Sequence, residues 1–214
     1  MTGDIPAQLQ QSILNLDLDA AMAQVRLIVD ASDSAAAQHA VNAVAEALEV
    51  VGRRFQEGEW FVGELVYSGE IAKAALEGLS PLLVARATQR LGTVVVGTVA
   101  GDMHDLGKNI FINYAKSTGF EVIDLGVDVQ TETFVAAVKQ HQPLALGMSC
   151  LLTVTAGEVR KVIDALRQHG LRHTVKVIIG GAALTEEFAR EVEADAFAPD
   201  AVTGTHTIKS WSGS

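Results

Sequence analysis

TVVVGTVAGDMHDLGKNIF, residues 93–111, changes character twice along its length. It opens as a β-branched apolar run of the kind that fills a strand buried on both faces. It breaks at Gly101 into a loop carrying Asp102, His104 and Asp105, and then resumes with helical spacing from Leu106. A buried strand, a glycine-containing loop and an amphipathic helix in that order make one half of a βαβ unit.

Outward from this stretch the alternation continues. After the helix from LGKNIFINYAKSTG come the strand FEVIDLG (120–126), a helix from TETFVAAVKQH, and the strand PLALGMSC (143–150). A helix from VTAGEVRKVIDALRQHG, the strand TVKVIIGG (174–181), the helix TEEFAREVE, the short strand ADAFA (194–198) and a helix after Pro199 follow. Strands and helices of these lengths predict a flavodoxin-like, doubly wound α/β domain with a parallel sheet of about five strands over residues 91–214. SWSGS at the end reads as a polar tail.

Residues 1–90 have a different rhythm. Leu18, Met22, Val25 and Val29 fall on one helical face, and Val41, Val44, Leu48 and Val51 repeat the pattern. Asp33 or Ser34 supplies an N-cap, FQEGEW (55–60) interrupts, and helical spacing returns until Ser80-Pro81. Four helices in a small bundle are expected.

Bulk properties narrow the function. A formal charge of −10 over 214 residues argues against a nucleic-acid binder, which draws its affinity from Lys and Arg. Cys150 is the single cysteine, so an internal disulfide or a cysteine-built metal cluster is ruled out. The N-terminus lacks the features of a signal peptide, and no apolar stretch reaches bilayer length, so a cytoplasmic protein off the membrane is expected.

Ligands of doubly wound sheets bind beyond the carboxyl ends of the strands. Three unusual loops fall there: GDMHD after the first strand, SCLLT (149–153) after the third and GGAA (180–183) after the fourth. GDMHDLG admits four readings. It could be a polar turn with Asp105 capping the next helix, or an anion site at a helix N-terminus, where Lys108 is a weak signal and two carboxylates oppose phosphate. It could hold a hydrolytic zinc, for which His141, His169 and His173 are expected on the wrong side of the sheet. Or His104 could be the one axial ligand to a metal whose other ligands come from a macrocycle, with Asp102 accepting from its second ring nitrogen. The last accounts best for a histidine between two carboxylates.

These residues resemble the Asp-x-His-x-x-Gly motif of cobalamin-binding domains, carried here by Asp102, His104 and Gly107. Ser149-Cys150-Leu151 resembles the family's Ser-x-Leu element and Gly180-Gly181 its paired glycines, in the same order and at similar separations. The helical first half is similar to the four-helix cap that precedes this domain in methyl-transferring corrinoid proteins.

The resemblance implies a corrinoid bound base-off, with His104 as lower axial ligand to cobalt and as the metal-binding residue. His104, Asp102 and Thr155 would form the chain whose protonation follows the cobalt state. The detached nucleotide tail would enter a slot lined by Ser149, Leu151, Thr153, Gly180, Gly181 and Ala201, the glycines letting a flat base pass close to backbone. Gly101, Met103, Asp105 and Gly107 would lie beside the corrin, Met103 as packing, and Phe61 would cover its upper face. In WFVGEL, Gly63 stands where the family often has a proline. Cys150 reads as a small buried apolar side chain.

The function implied is a methyl carrier rather than a complete enzyme. It would shuttle a methyl group from a substrate-specific methyltransferase to a folate- or thiol-dependent one, with a reductive activase as a further partner. Alternatives are the cobalamin subunit of an adenosylcobalamin mutase, a cobalamin-sensing regulator and, outside cobalamin, a flavodoxin-like nucleotide binder.

Overall fold

The computed structural model describes residues 5–84 and 91–213. Two compact units divide the chain, one up to residue 86 and the other from residue 87. The boundary expected between residues 90 and 91 involves Arg90, which lies outside the described residues.

In the first unit, the described residues form four helices: α1 (Ile5–Leu14), α2 (Leu18–Asp30), α3 (Ser34–Gln56) and α4 (Val62–Val84). α1 packs on α2 and α3, and α4 packs on the same two, which closes a bundle. Asp17 and Asp33 cap α2 and α3, each accepting backbone N–H groups of the first turn. The α2 stripe is rotated from the expected one. Ala21, Val25 and Ile28 are buried while Leu18 is exposed. Small Ala21 lets the helix approach closely along that line. Likewise Ala47 is buried on α3 where Leu48 is only half-buried.

α4 does not end before Pro81 but runs through it. Proline removes one backbone hydrogen bond. Continuing the helix buries Leu83 one turn beyond buried Leu79, and that burial offsets the loss.

The second unit is a five-stranded, fully parallel sheet among the described residues, in the order β2-β1-β3-β4-β5. The strands are β1 (Gly92–Thr98), β2 (Phe120–Asp124), β3 (Ala145–Ser149), β4 (Lys176–Gly180) and β5 (Ala196–Ala198). The helices are α5 (Leu106–Thr118), α6 (Thr131–His141), α7 (Ala156–Gln168), α8 (Glu186–Val192) and α9 (Ala201–Trp211). Strand alternation sorts them. Val95, Leu146, Met148, Val177 and Ile179 pack into the core with α6, α7 and α8. Val94, Val96, Ala145 and Ile178 face the opposite way and meet Ile112 of α5 and Ile208 of α9. This is the flavodoxin-like order, whose switch point lies between β1 and β3. The expected polar tail is shorter than predicted, because Ser210 and Trp211 belong to α9 and Trp211 packs on the α5/α9 core.

Candidate functional site

The loop between β1 and α5 lies at the carboxyl end of β1, beside the ends of β2 and β3. Its shape is fixed by backbone-directed bonds. Thr98, fully buried at the end of β1, donates its hydroxyl to His104 O at 2.9 Å. Asp128, from the β2–α6 loop, accepts the Gly101 N–H at 2.7 Å and donates its own N–H to Asp102 O at 3.0 Å. The loop is held at both ends before any ligand is considered.

Asp102 points inward and is 0% exposed. Its Oδ1 accepts the His104 backbone N–H at 3.0 Å and faces His104 Nδ1 at 2.6 Å. Its Oδ2 accepts from Leu151 N–H at 2.6 Å and Leu152 N–H at 3.2 Å, both in the loop after β3. Burial pushes the carboxyl pKa up, but these four bonds outweigh it and hold it below the ordinary value. A buried, firmly ionised carboxylate therefore faces Nδ1. The His104 side chain is 51% exposed, and with Nδ1 committed, Nε2 is the nitrogen left to bind a ligand.

Met103 is 68% exposed. Asp102 turns into the protein, so its neighbour turns out. Asp105 stands at the N-cap position of α5, as the turn reading has it, but without a side-chain capping bond to the first turn. Leu151, Leu152 and Val154 of the β3–α7 loop are exposed apolar side chains at the same end of the sheet.

Thr155 is buried, but it reaches Asp102 only indirectly. Its hydroxyl donates instead to Leu152 O at 2.9 Å and lies 3.3 Å from Cys150 Sγ, while the Leu151 and Leu152 amides occupy the carboxylate oxygen expected for it. Burial raises the Cys150 thiol pKa, with the Asp102 charge adding to the effect, as suits an inert buried thiol. Thr153 sits exposed on the short 3₁₀ turn before α7.

Behind this loop a slot of about 160 Å³ opens between the sheet and the α5/α9 layer. Ser149, Gly180, Gly181 and Ala201, four of the residues expected in the tail slot, line it, whereas Leu151 and Thr153 do not; Gly107, expected beside the corrin, joins the lining with Phe111 and Gly147. The protein's own backbone supplies a further reason for the paired glycines. A Cβ at Gly180 would crowd Ala198 O of β5 at 2.9 Å, and one at Gly181 would overlap the Cys150 carbonyl oxygen. Gly181 also has φ +117°, so neighbouring backbone already requires both glycines. The clearance into the slot comes from Gly147 on β3, which faces Val96 and Phe111, and from Gly107, where an added Cβ would meet nothing within 4 Å. Sequence reasoning missed Gly147 because a glycine within a strand run carries no loop signal.

Lys108 also lines the slot, and its side chain is almost wholly buried. Its Nζ is committed to both oxygens of Asp124 at 2.8 and 2.9 Å and to Asn109 Oδ1 at 2.9 Å, which accounts for its weakness as a phosphate signal. Phe61 belongs to the helical unit, just before α4, and is 74% exposed. Among the described residues no three of His, Cys, Asp or Glu gather as a metal-ligand group, and no helix is long and apolar enough to cross a membrane.

A single oriented imidazole beside a deep, mostly apolar slot at the switch point of a parallel sheet defines a protein built to hold a large metal-bearing cofactor with a tail. Known proteins agree. Profiles of B12 binding domains match residues 92–207 and, in a second form, residues 6–79. The dimethylamine corrinoid protein 2 of Methanosarcina mazei is 35% identical over 195 residues, covering 91% of this chain and 90% of that one. Among solved structures, the monomethylamine corrinoid protein of Methanosarcina barkeri aligns with TM-score 0.86 at 25% identity, covering 98% of this chain and 99% of that one. A cobalamin-binding protein from Desulfitobacterium hafniense DCB-2 aligns with TM-score 0.56 at 38% identity, covering 97% and 98%. The chain belongs to the B12-binding corrinoid protein family.

Proposed function

We propose that the chain is a cytoplasmic corrinoid methyl carrier. It would be loaded by a substrate-specific methyltransferase, unloaded by a folate- or thiol-dependent one, and restored by a reductive activase. The observation that carries the reading is the His104–Asp102 pair, a 2.6 Å contact between a buried carboxylate and a half-exposed imidazole. Relatives named for dimethylamine and monomethylamine corrinoid proteins support a methyl-transfer setting.

When bound, the corrinoid supplies the cobalt that carries the methyl group. His104 Nε2 would be the protein nitrogen that holds its cobalt. Asp102, held anionic by its hydrogen bonds, keeps the ring proton on Nδ1 and so keeps the Nε2 lone pair free. Thr155 acts as a positioning residue. Its hydroxyl fixes Leu152 O, and the Leu152 N–H donates to Asp102 Oδ2. The nucleotide tail enters the slot beside Ser149, Gly147 and Ala201. Gly101, Met103, Asp105, Leu151 and Thr153 border the corrin, and Phe61 is proposed to shield the methyl group until a partner docks.

The test is a titration of apo-protein with hydroxocobalamin, wild type against His104→Ala, followed by removal of free cofactor. Wild type is expected to retain the corrinoid with a base-off, histidine-ligated visible spectrum that the variant lacks. An unchanged spectrum in the variant would remove His104 as the ligand. A folded wild type that retains no corrinoid would end the carrier reading.

A further inference from the structure

The polar groups of the slot carry information beyond its shape. Its walls are largely apolar, formed by the side chains of Val96, Phe111 and Ile178, with Gly147 opening the floor, while Met148 and Ile179 border it through their backbone because their side chains face the α6–α8 core. Three polar side chains reach it: Lys108, Asp200 and Ser149. Lys108 Nζ is committed to Asp124 and Asn109. Asp200 caps α9, one carboxylate oxygen accepting the Thr203 N–H at 2.7 Å and the other the Thr203 hydroxyl at 2.8 Å. The backbone carbonyls at the strand ends are engaged too, Ser149 O by Val99 N–H and Gly180 O by Cys150 N–H. Of the three side chains, only the half-buried Ser149 hydroxyl has no hydrogen-bond partner among the described residues.

We infer that this slot selects among corrinoids by their lower base, accepting a benzimidazole and discriminating against a purine. The inference rests on the corrinoid reading above. A benzimidazole joined to ribose through one nitrogen has a single free ring nitrogen, which one hydroxyl can satisfy. Its fused carbocycle suits the apolar walls. An adenine base brings further ring nitrogens and an exocyclic amine into the same walls, and each polar group buried without a partner weakens binding by about tenfold.

The experiment titrates full-length apo-protein, by visible absorbance, with three corrinoids: hydroxocobalamin, the corresponding adenine-base cobamide, and cobinamide, which has no nucleotide. The expected result, once each free corrinoid's cost of releasing its own base from cobalt is divided out, is binding of hydroxocobalamin about tenfold or more tighter than the adenine-base form. Equal binding of the two, both tighter than cobinamide, overturns base selection while leaving the corrinoid reading intact. Equal binding of all three overturns the placement of the tail in the slot, and selection with it. Absence of binding by any of them overturns the corrinoid reading itself. Ile178→Thr, which adds a hydroxyl to the slot wall, is expected to narrow the gap between the two bases several-fold; an unchanged gap in the folded variant would mean that the dearth of polar partners is not its cause.

Discussion

Asp102→Asn changes one atom of a buried side chain and sets two consequences against each other. The carboxylate now accepts from two sides, His104 on Oδ1 and the Leu151 and Leu152 amides on Oδ2. An asparagine has only one oxygen. If that oxygen turns to Leu151 and Leu152, the amide NH₂ faces the His104 backbone N–H and Nδ1. One backbone donor is then unpaired, and Nδ1 must become an acceptor, which moves the ring proton to Nε2. If the oxygen turns to His104, the NH₂ faces two backbone N–H groups, and both are unpaired. The first arrangement leaves fewer orphans and should prevail, at a cost of about 1–3 kcal/mol for the buried unsatisfied donor. For a chain of this length each kcal/mol lowers Tm by about 2–4 °C. It also places a proton on the nitrogen proposed to bind cobalt, and loss of such a carboxylate partner costs about 10–100-fold in metal affinity. Thermal unfolding of the apo-protein reads the first effect and corrinoid titration the second. A variant with wild-type Tm and wild-type cofactor affinity would refute the account, because both costs follow from the same four bonds.

Three further outcomes follow from the geometry. Asp102 and Asp195 are both partly desolvated, yet hydrogen bonds and, for Asp195, Lys176 and Arg172 hold their folded pKa values below the ordinary 3.8. Their stabilisation should be complete above that value and lost as pH falls through the lower folded values, so urea midpoints should drop in acid, and Asp195→Asn should flatten that drop. The Lys108–Asp124 pair is lopsided, with side chains 2% and 40% exposed. Asp124→Asn should therefore cost more, about 3 kcal/mol for a buried unpaired cation, than Lys108→Met at about 1 kcal/mol, and equal urea denaturation curves for the two would contradict this. Gly181→Ala should destabilise by about 2 kcal/mol or more in the same assay, since it combines a left-handed φ with overlap on the Cys150 carbonyl.

The parallel sheet was legible because each buried strand is a short β-branched run followed by an amphipathic helix, and the parallel strands and the helices between them fix which ends meet. The two ends of TETFVAAVKQH coincide with those of α6. His104, Asp102 and Ser149 were legible because their loops had to lie on the carboxyl edge. What escaped depends on long-range packing. Pro81 reads as a stop until Leu83 is seen buried beyond it. Thr155 reads as the partner of Asp102 until two backbone amides, which carry no residue signature, are found in its place. Asp128 and Thr98, which brace the histidine loop, look like ordinary turn and strand residues.

The strand order explains why the pair and the slot can share one edge without competing. β1 and β3 are neighbours, and the chain leaves them toward opposite faces, β1 into α5 and β3 into α7. Their loops therefore diverge at the switch point and leave a crevice between them. Asp102 crosses that crevice to the Leu151 and Leu152 amides and ties the two loops together. The slot descends on the α5/α9 side only, where Gly147 of β3 leaves room beneath Val96 and Phe111, while the α6–α8 side stays filled by Phe134, Leu146 and Met148. One carboxylate thus orients the imidazole proposed to bind cobalt and joins the loops on either side of the crevice, so its loss should weaken the hold on a corrinoid.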